Sequence, residues 1–115
     1  MKGVTWKIYL LLLFCLLYPS LLYSQITISQ FNASWNSTND VDWLNKLSDV
    51  DKVKYIDIAE NTKAQQKHEI VVVPTIVIFN NNEEVKRFQA DISFAIKATR
   101  EELQEYIDEL LMEDF

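Results

Sequence analysis

Cysteine is almost missing from this chain. Cys15 is the only one in 115 residues, and it lies inside an apolar leader. A domain that follows the leader has neither an intrachain disulfide nor a thiol nucleophile. Glycine is as scarce: Gly3 is the only one, so every later turn that needs a positive φ must be built from another residue, asparagine being the best suited. His68 is the sole histidine. With no cysteine near it and no acids at ligand spacing, a metal site is not expected, and a surface histidine near a helix end is the simpler reading. Positive charge is also short. Removing residues 1–24 takes Lys2 and Lys7 and no acid, which leaves 9 basic against 17 acidic side chains, a net charge of −8. Such a surface repels phosphate backbones, which argues against nucleic acid and anionic lipid as partners. The sequence contains no nucleophile–base pair, no phosphate-cradling loop and no paired-carboxylate site.

What is present begins with a leader. Lys2 and Lys7 form a positive start, residues 8–18 are an unbroken apolar run, Pro19-Ser20 breaks it, and Ser24 precedes a cleavage point at Gln25. This is the layout of a secretory signal peptide over residues 1–24, followed by a single domain over 25–115. The apolar core is short of the roughly 20 residues needed to span a bilayer as a helix. Leu22 is larger than the residue preferred three before a cut, so retention as an N-terminal membrane anchor stays open. Phe14 argues against a lipid-modified Cys15. The expected location is exported, periplasmic or secreted.

The domain itself alternates strand and helix signals. Residues 26–31 read as a strand with Ile26, Ile28 and Gln30 on one face and Thr27, Ser29 and Phe31 on the other. Small polar residues follow, and Ser37 or Asn39 is placed to cap a short helix over 41–47 whose stripe is Val41, Leu44 and Leu47. Residues 53–58 form a second strand and residues 60–67 contain a brief helix. Residues 70–73 run extended into Pro74, which disfavours helix in the residue before it. Residues 75–79 and 85–88 make a hairpin turned by Asn80-Asn81-Asn82, with asparagine in glycine's role. Ile92, Phe94 and Ile96 alternate within residues 90–98, which fits either a loop packed on the core or a short strand. Thr99 and Glu102 have capping-box spacing, and Leu103, Tyr106, Ile107, Leu110 and Leu111 fall on one face of a closing helix. The acids Glu101, Glu102, Glu105, Asp108 and Glu109 form its solvated face.

Four local stretches in this order carry a resemblance: Phe31-Asn32-Ala33-Ser34-Trp35, Tyr55-Ile56-Asp57-Ile58-Ala59-Glu60-Asn61, Ile70-Val71-Val72-Val73-Pro74-Thr75 and Phe79-Asn80-Asn81-Asn82-Glu83. They span about 55 residues and resemble the thioredoxin-like superfamily, in particular short exported bacterial members. The resemblance implies an α/β fold with a central four-stranded mixed sheet flanked by three helices, the family's leading strand and helix being missing. It implies a cis-proline at Pro74 facing the Trp35 loop, with Val73 offering main-chain hydrogen bonds to an extended peptide. It places Asn36 and Asn39 at the two redox cysteines, and Gln30 where the family often has a buried acid.

The function implied is a domain that binds an extended peptide or protein segment at Trp35, Val73, Pro74 and Thr75, with Phe31 flanking the groove, without thiol chemistry, cofactor or metal. Two other readings stay open: an oxidoreductase-related protein acting without its own thiols, and a structural subunit of an envelope complex that uses the acidic helix or residues 92–96. Trp35 reads equally as a recognition aromatic or a core plug, and helix capping accounts for at least one of Asn36 and Asn39. Asn36-Ser37-Thr38 and Asn32-Ala33-Ser34 also match the N-glycosylation pattern, which acts only in a eukaryotic secretory pathway.

Overall fold

The computed structural model describes residues 25–113. The signal peptide and cleavage point expected over residues 1–24 lie outside the described residues.

Four strands form one mixed sheet: β1 (Ile26–Asn32), β2 (Lys52–Asp57), β3 (Thr75–Asn80) and β4 (Glu83–Gln89), in the spatial order β2-β1-β3-β4. β1 is parallel to β2 and antiparallel to β3, with Ile28 opposite both Val53 and Ile78. β3 and β4 are antiparallel, with a register shift between Ile78 and Phe79. The alternation along β1 and β3 feeds two cores. Ile26, Ile28, Ile76 and Ile78 pack on one face with Val41, Leu44, Leu47, Leu103 and Ile107. Phe31 and Val77 pack on the other with Ala33, Ile58, Ile70 and Val73. Burying each such side chain contributes about 1.5–3 kcal/mol, so the two small clusters together hold the sheet between its covering layers.

The parallel β1–β2 pair needs a crossover. It is made of 3-10 turns at Ser34–Asn39 and Leu44–Lys46, where the sequence suggests a helix over 41–47. The apolar spacing explains the difference. Val41, Leu44 and Leu47 recur every three residues, which is the 3-10 period, and all three are buried. The Val41 N–H also donates to Gln30 Oε1 at 2.6 Å, which ties the start of this segment to β1. Neither Ser37 nor Asn39 caps these turns. Their N-cap residues are Ala33 and Trp43, and neither makes a side-chain cap bond.

The remaining ends follow local chemistry. Asn61 Oδ1 accepts from the Ala64 N–H at 3.1 Å and starts α1 (Thr62–Lys67). Thr99 Oγ1 accepts from the Glu102 N–H at 3.2 Å and starts α2 (Arg100–Glu113). Leu103 and Ile107 of α2 are fully buried, and Tyr106 donates to the Val85 carbonyl at 3.0 Å, which ties α2 to β4. In the β3–β4 hairpin Asn81 and Asn82 have φ of 54° and 68°. Two positive φ values in succession give the turn whose twist suits a two-residue hairpin, and asparagine makes it here without glycine. Residues 90–98 are a loop. Asp91 anchors its turn by accepting from the Ser93 N–H at 2.8 Å and from the Ser93 hydroxyl. Ile92 is exposed while Ile96 packs against the first core.

Candidate functional site

The β1 strand ends inside the molecule and delivers a polar network to its tip. Asn32 and Asn36 are each 4% exposed. The Asn36 amide nitrogen donates to Asn32 Oδ1 and to the Phe94 carbonyl, both at 3.1 Å, while Asn36 Oδ1 accepts from Asn39 Nδ2 at 2.7 Å. Asn32 Nδ2 in turn donates to the Asn36 carbonyl at 3.1 Å and to Asp40 Oδ1 at 2.6 Å. Gln30, also buried, donates to the same Asp40 oxygen at 2.9 Å. Four amide side chains, those of Gln30, Asn32, Asn36 and Asn39, and the Asp40 carboxylate thus satisfy one another, which is what burial of polar groups requires. Asn36 and Asn39 meet each other as side chains, so capping does not account for either.

Beside this network lies a hollow of about 260 Å³ lined by Gln30, Asn32, Asp40, Tyr55 and Asp57. The Tyr55 hydroxyl donates to the Val41 carbonyl at 3.3 Å. Burial, and then the negative charges of Asp40 and Asp42, push its phenol above the usual tyrosine value, so it stays protonated well past neutrality.

On the other side of the tip is a groove of about 360 Å³ walled by Trp35, Phe94, Ile58 and residues 71–73. Trp35 is 67% exposed, which rules out the core-plug reading. Its ring meets Phe94 edge to face, with centroids 5.4 Å apart at 85°, a favoured aromatic geometry. The Val73–Pro74 peptide is cis. Among the described residues neither the N–H nor the C=O of Val73 has a hydrogen-bond partner. Of the four residues expected to bind peptide, Trp35 and Val73 line the groove, whereas Pro74 and Thr75 are buried beside it. Thr75 begins β3 and spends its hydroxyl on the Val72 carbonyl at 2.7 Å, and the Pro74 carbonyl accepts from the Ala90 N–H at 3.0 Å. Phe31 does not flank the groove. It is fully buried because it points into the second core. Phe94 takes that place, a residue the sequence marks only through its alternation with Ile92 and Ile96.

The chain is similar in structure to a thioredoxin mutant from Halobacterium salinarum, at 21% identity over 76% of this chain and 75% of that one, with a TM-score of 0.58. It is similar to a malaria parasite thioredoxin-2 at 20% identity over 75% and 84% of the two chains, TM-score 0.58. A thioredoxin 1 from Thermosipho africanus gives 21% identity over 75% and 94%, TM-score 0.57. This is a thioredoxin-like fold. No family model and no curated protein matches the sequence.

Within that thioredoxin-like fold His68 does sit at a helix end, following α1, but it is wedged between two rings rather than free on the surface. Its imidazole lies 5.0 Å from Phe31 and 5.6 Å from Phe79, centroid to centroid. Burial and the neighbouring charge of Lys67 hold it below the ordinary histidine value. Arg87 fixes the chain here by donating to the His68 and Glu69 carbonyls at 2.8 and 3.1 Å while paired with Glu84. Among the described residues no three of His, Cys, Asp and Glu gather to hold a metal ion. Asn32 and Asn36 have their amides buried and bonded, so neither glycosylation pattern offers a free nitrogen in the folded state.

Proposed function

We propose that this thioredoxin-like domain binds an extended peptide or protein segment in the Trp35–Phe94–Val73 groove and carries out no thiol–disulfide exchange. The observation that carries this reading is the occupancy of the tip of β1. Asn36 and Asn39 stand in the helical turn after Trp35, bonded to each other at 2.7 Å, where the resemblance implies a dithiol. An amide is neither a nucleophile nor an electron carrier, so such a pair supports structure and not redox chemistry. The apolar walls and the free main-chain groups of Val73 beside them suit an extended segment, whose backbone bonds there while alternate side chains meet Trp35 and Phe94.

The domain on this reading is an exported one, acting on a protein partner outside the cytoplasm. A peptide-display selection on the full chain tests the groove. Selected sequences should bind the parent and lose about tenfold or more in affinity with Trp35→Ala, the scale of an exposed aromatic anchor. Equal affinities for both proteins would remove the groove as the site. Turnover of a disulfide substrate such as insulin by the unmodified chain would contradict the redox half of the proposal.

A further inference from the structure

A third concave site lies on the α1 face of the sheet, away from the groove. Its volume is about 280 Å³, room for a small ligand rather than a peptide. Its polar lining comes from two strands, one helix end and one turn: Thr27 and Ser29 of β1, Lys54 of β2, Lys67 and His68 at the end of α1, and Asn82 of the hairpin turn. Strand register explains why these meet. Ser29 is opposite Lys54, and Thr27 is opposite Phe79, so their side chains share one face. Along β1 the distance from Ser29 to the Ala33 wall of the groove is about 13 Å, so the two sites do not share residues.

The donors here are unspent. Ser29 is only 3% exposed, yet among the described residues its hydroxyl has no hydrogen-bond partner, and it lines this cavity. Lys54 and Lys67 pair with no acid among the described residues, although the chain as a whole is acidic. Among the described residues the one carboxylate whose charge acts on His68 is that of Glu84, and it is paired with Arg87 at 2.7 Å. Ser29, Lys54, Lys67, Asn82 and His68 line one cavity and bring hydrogen-bond donors and two positive charges to it. We infer that this cavity binds a small oxyanion, either free phosphate or the phosphate of a small phosphomonoester, held by Lys54, Lys67 and the Ser29 hydroxyl. The acidic remainder of the surface excludes polyanions such as nucleic acid while leaving a small dianion free to enter.

His68 is the only histidine, so its ring protons give an unambiguous NMR reporter inside the site. The full chain is titrated at fixed ionic strength with inorganic phosphate, glycerol 3-phosphate or chloride. Phosphate or glycerol 3-phosphate should move the His68 signals along a saturating curve, and whichever binds more tightly identifies the source of the anion. Lys54→Gln and Lys67→Gln should each weaken that binding about tenfold or more, the effect of one charge-assisted hydrogen bond. Ser29→Ala should weaken it as well. Lys46→Gln, which changes net charge equally on the opposite side of the sheet, should leave it unchanged. Shifts that match chloride, that fail to saturate, or that persist undiminished in both lysine variants overturn the inference.

Discussion

The side-chain amide of Asn36 donates to the main-chain carbonyl of Phe94 at 3.1 Å, across 58 positions of sequence. That bond joins the end of β1 to the loop after β4 and sets Phe94 against Trp35. Phe94 has a φ of 59°, a costly conformation for a residue with a bulky side chain. The loop is therefore held from both ends, by the Asp91 turn and by Asn36.

Asn36→Ala should cost about 1–3 kcal/mol, because Asn32 Oδ1, the Phe94 carbonyl and Asn39 Nδ2 all lose a partner in a buried setting. Urea denaturation measures the loss. Hydrogen exchange should rise at residues 91–96 more than in β1 or β3, since the loop loses its anchor while the sheet keeps its ladder.

Installing sulfur tests the other half of the argument. Residues three apart in a 3-10 turn are eclipsed at about 6 Å, inside the range a disulfide spans. The double variant Asn36→Cys/Asn39→Cys should form that disulfide on oxidation and reduce insulin slowly, whereas the unmodified chain shows no turnover above background. A double variant that cannot be oxidised would mean that the side chains at 36 and 39 do not face each other as the 2.7 Å amide contact requires.

His68 makes stability depend on pH in a defined direction. Its folded value is held below the ordinary 6.5, first by burial and then by Lys67. The unfolded chain therefore binds a proton more readily than the folded one. The contribution is fully present above pH 6.5 and is lost as pH falls through 6.5 toward the folded value. Urea midpoints measured from pH 8 to pH 5 should decline over this window, and His68→Phe, which keeps ring contacts with Phe31 and Phe79, should flatten that part of the decline.

Gln30→Glu should show the opposite slope. A carboxylate at this buried position would face Asp40, which now accepts from Gln30 Nε2 at 2.9 Å. Burial and like charge raise the folded value of such a group above the unfolded one. Stability relative to the parent should be nearly equal at pH 4 and fall as pH rises, reaching a deficit of about 3 kcal/mol at pH 7. Thermal denaturation across that range checks the sign.

Much of this was written in local pattern. The β-branched runs announce the strands, Asn61 and Thr99 announce the helix starts, and the Trp35 and Val73-Pro74 stretches carry enough of the thioredoxin-like wording to give the layout. The crossover was harder. Val41, Leu44 and Leu47 sit three apart, a spacing that serves an α-helix and a 3-10 turn alike, so the pattern alone does not separate them. The groove wall was harder still. Phe31 and Phe94 are both aromatic residues near turns, and nothing local says that one enters the core while the other crosses the fold to meet Trp35. That choice is made by Asn36, whose partner lies 58 residues away.

β2 and β4 form the two borders of the sheet. Lys52 and Lys54 stud one border, Glu83, Glu84 and Lys86 the other, all of them exposed, and a slip in pairing at Ile78/Phe79 roughens the second. An incoming chain that tried to lengthen the sheet would have to strip water from those charges, so fibrous self-association is discouraged at both margins. A guest is steered instead to the uncharged Val73 stretch, and the domain can offer its backbone to one stranger without offering it to copies of itself.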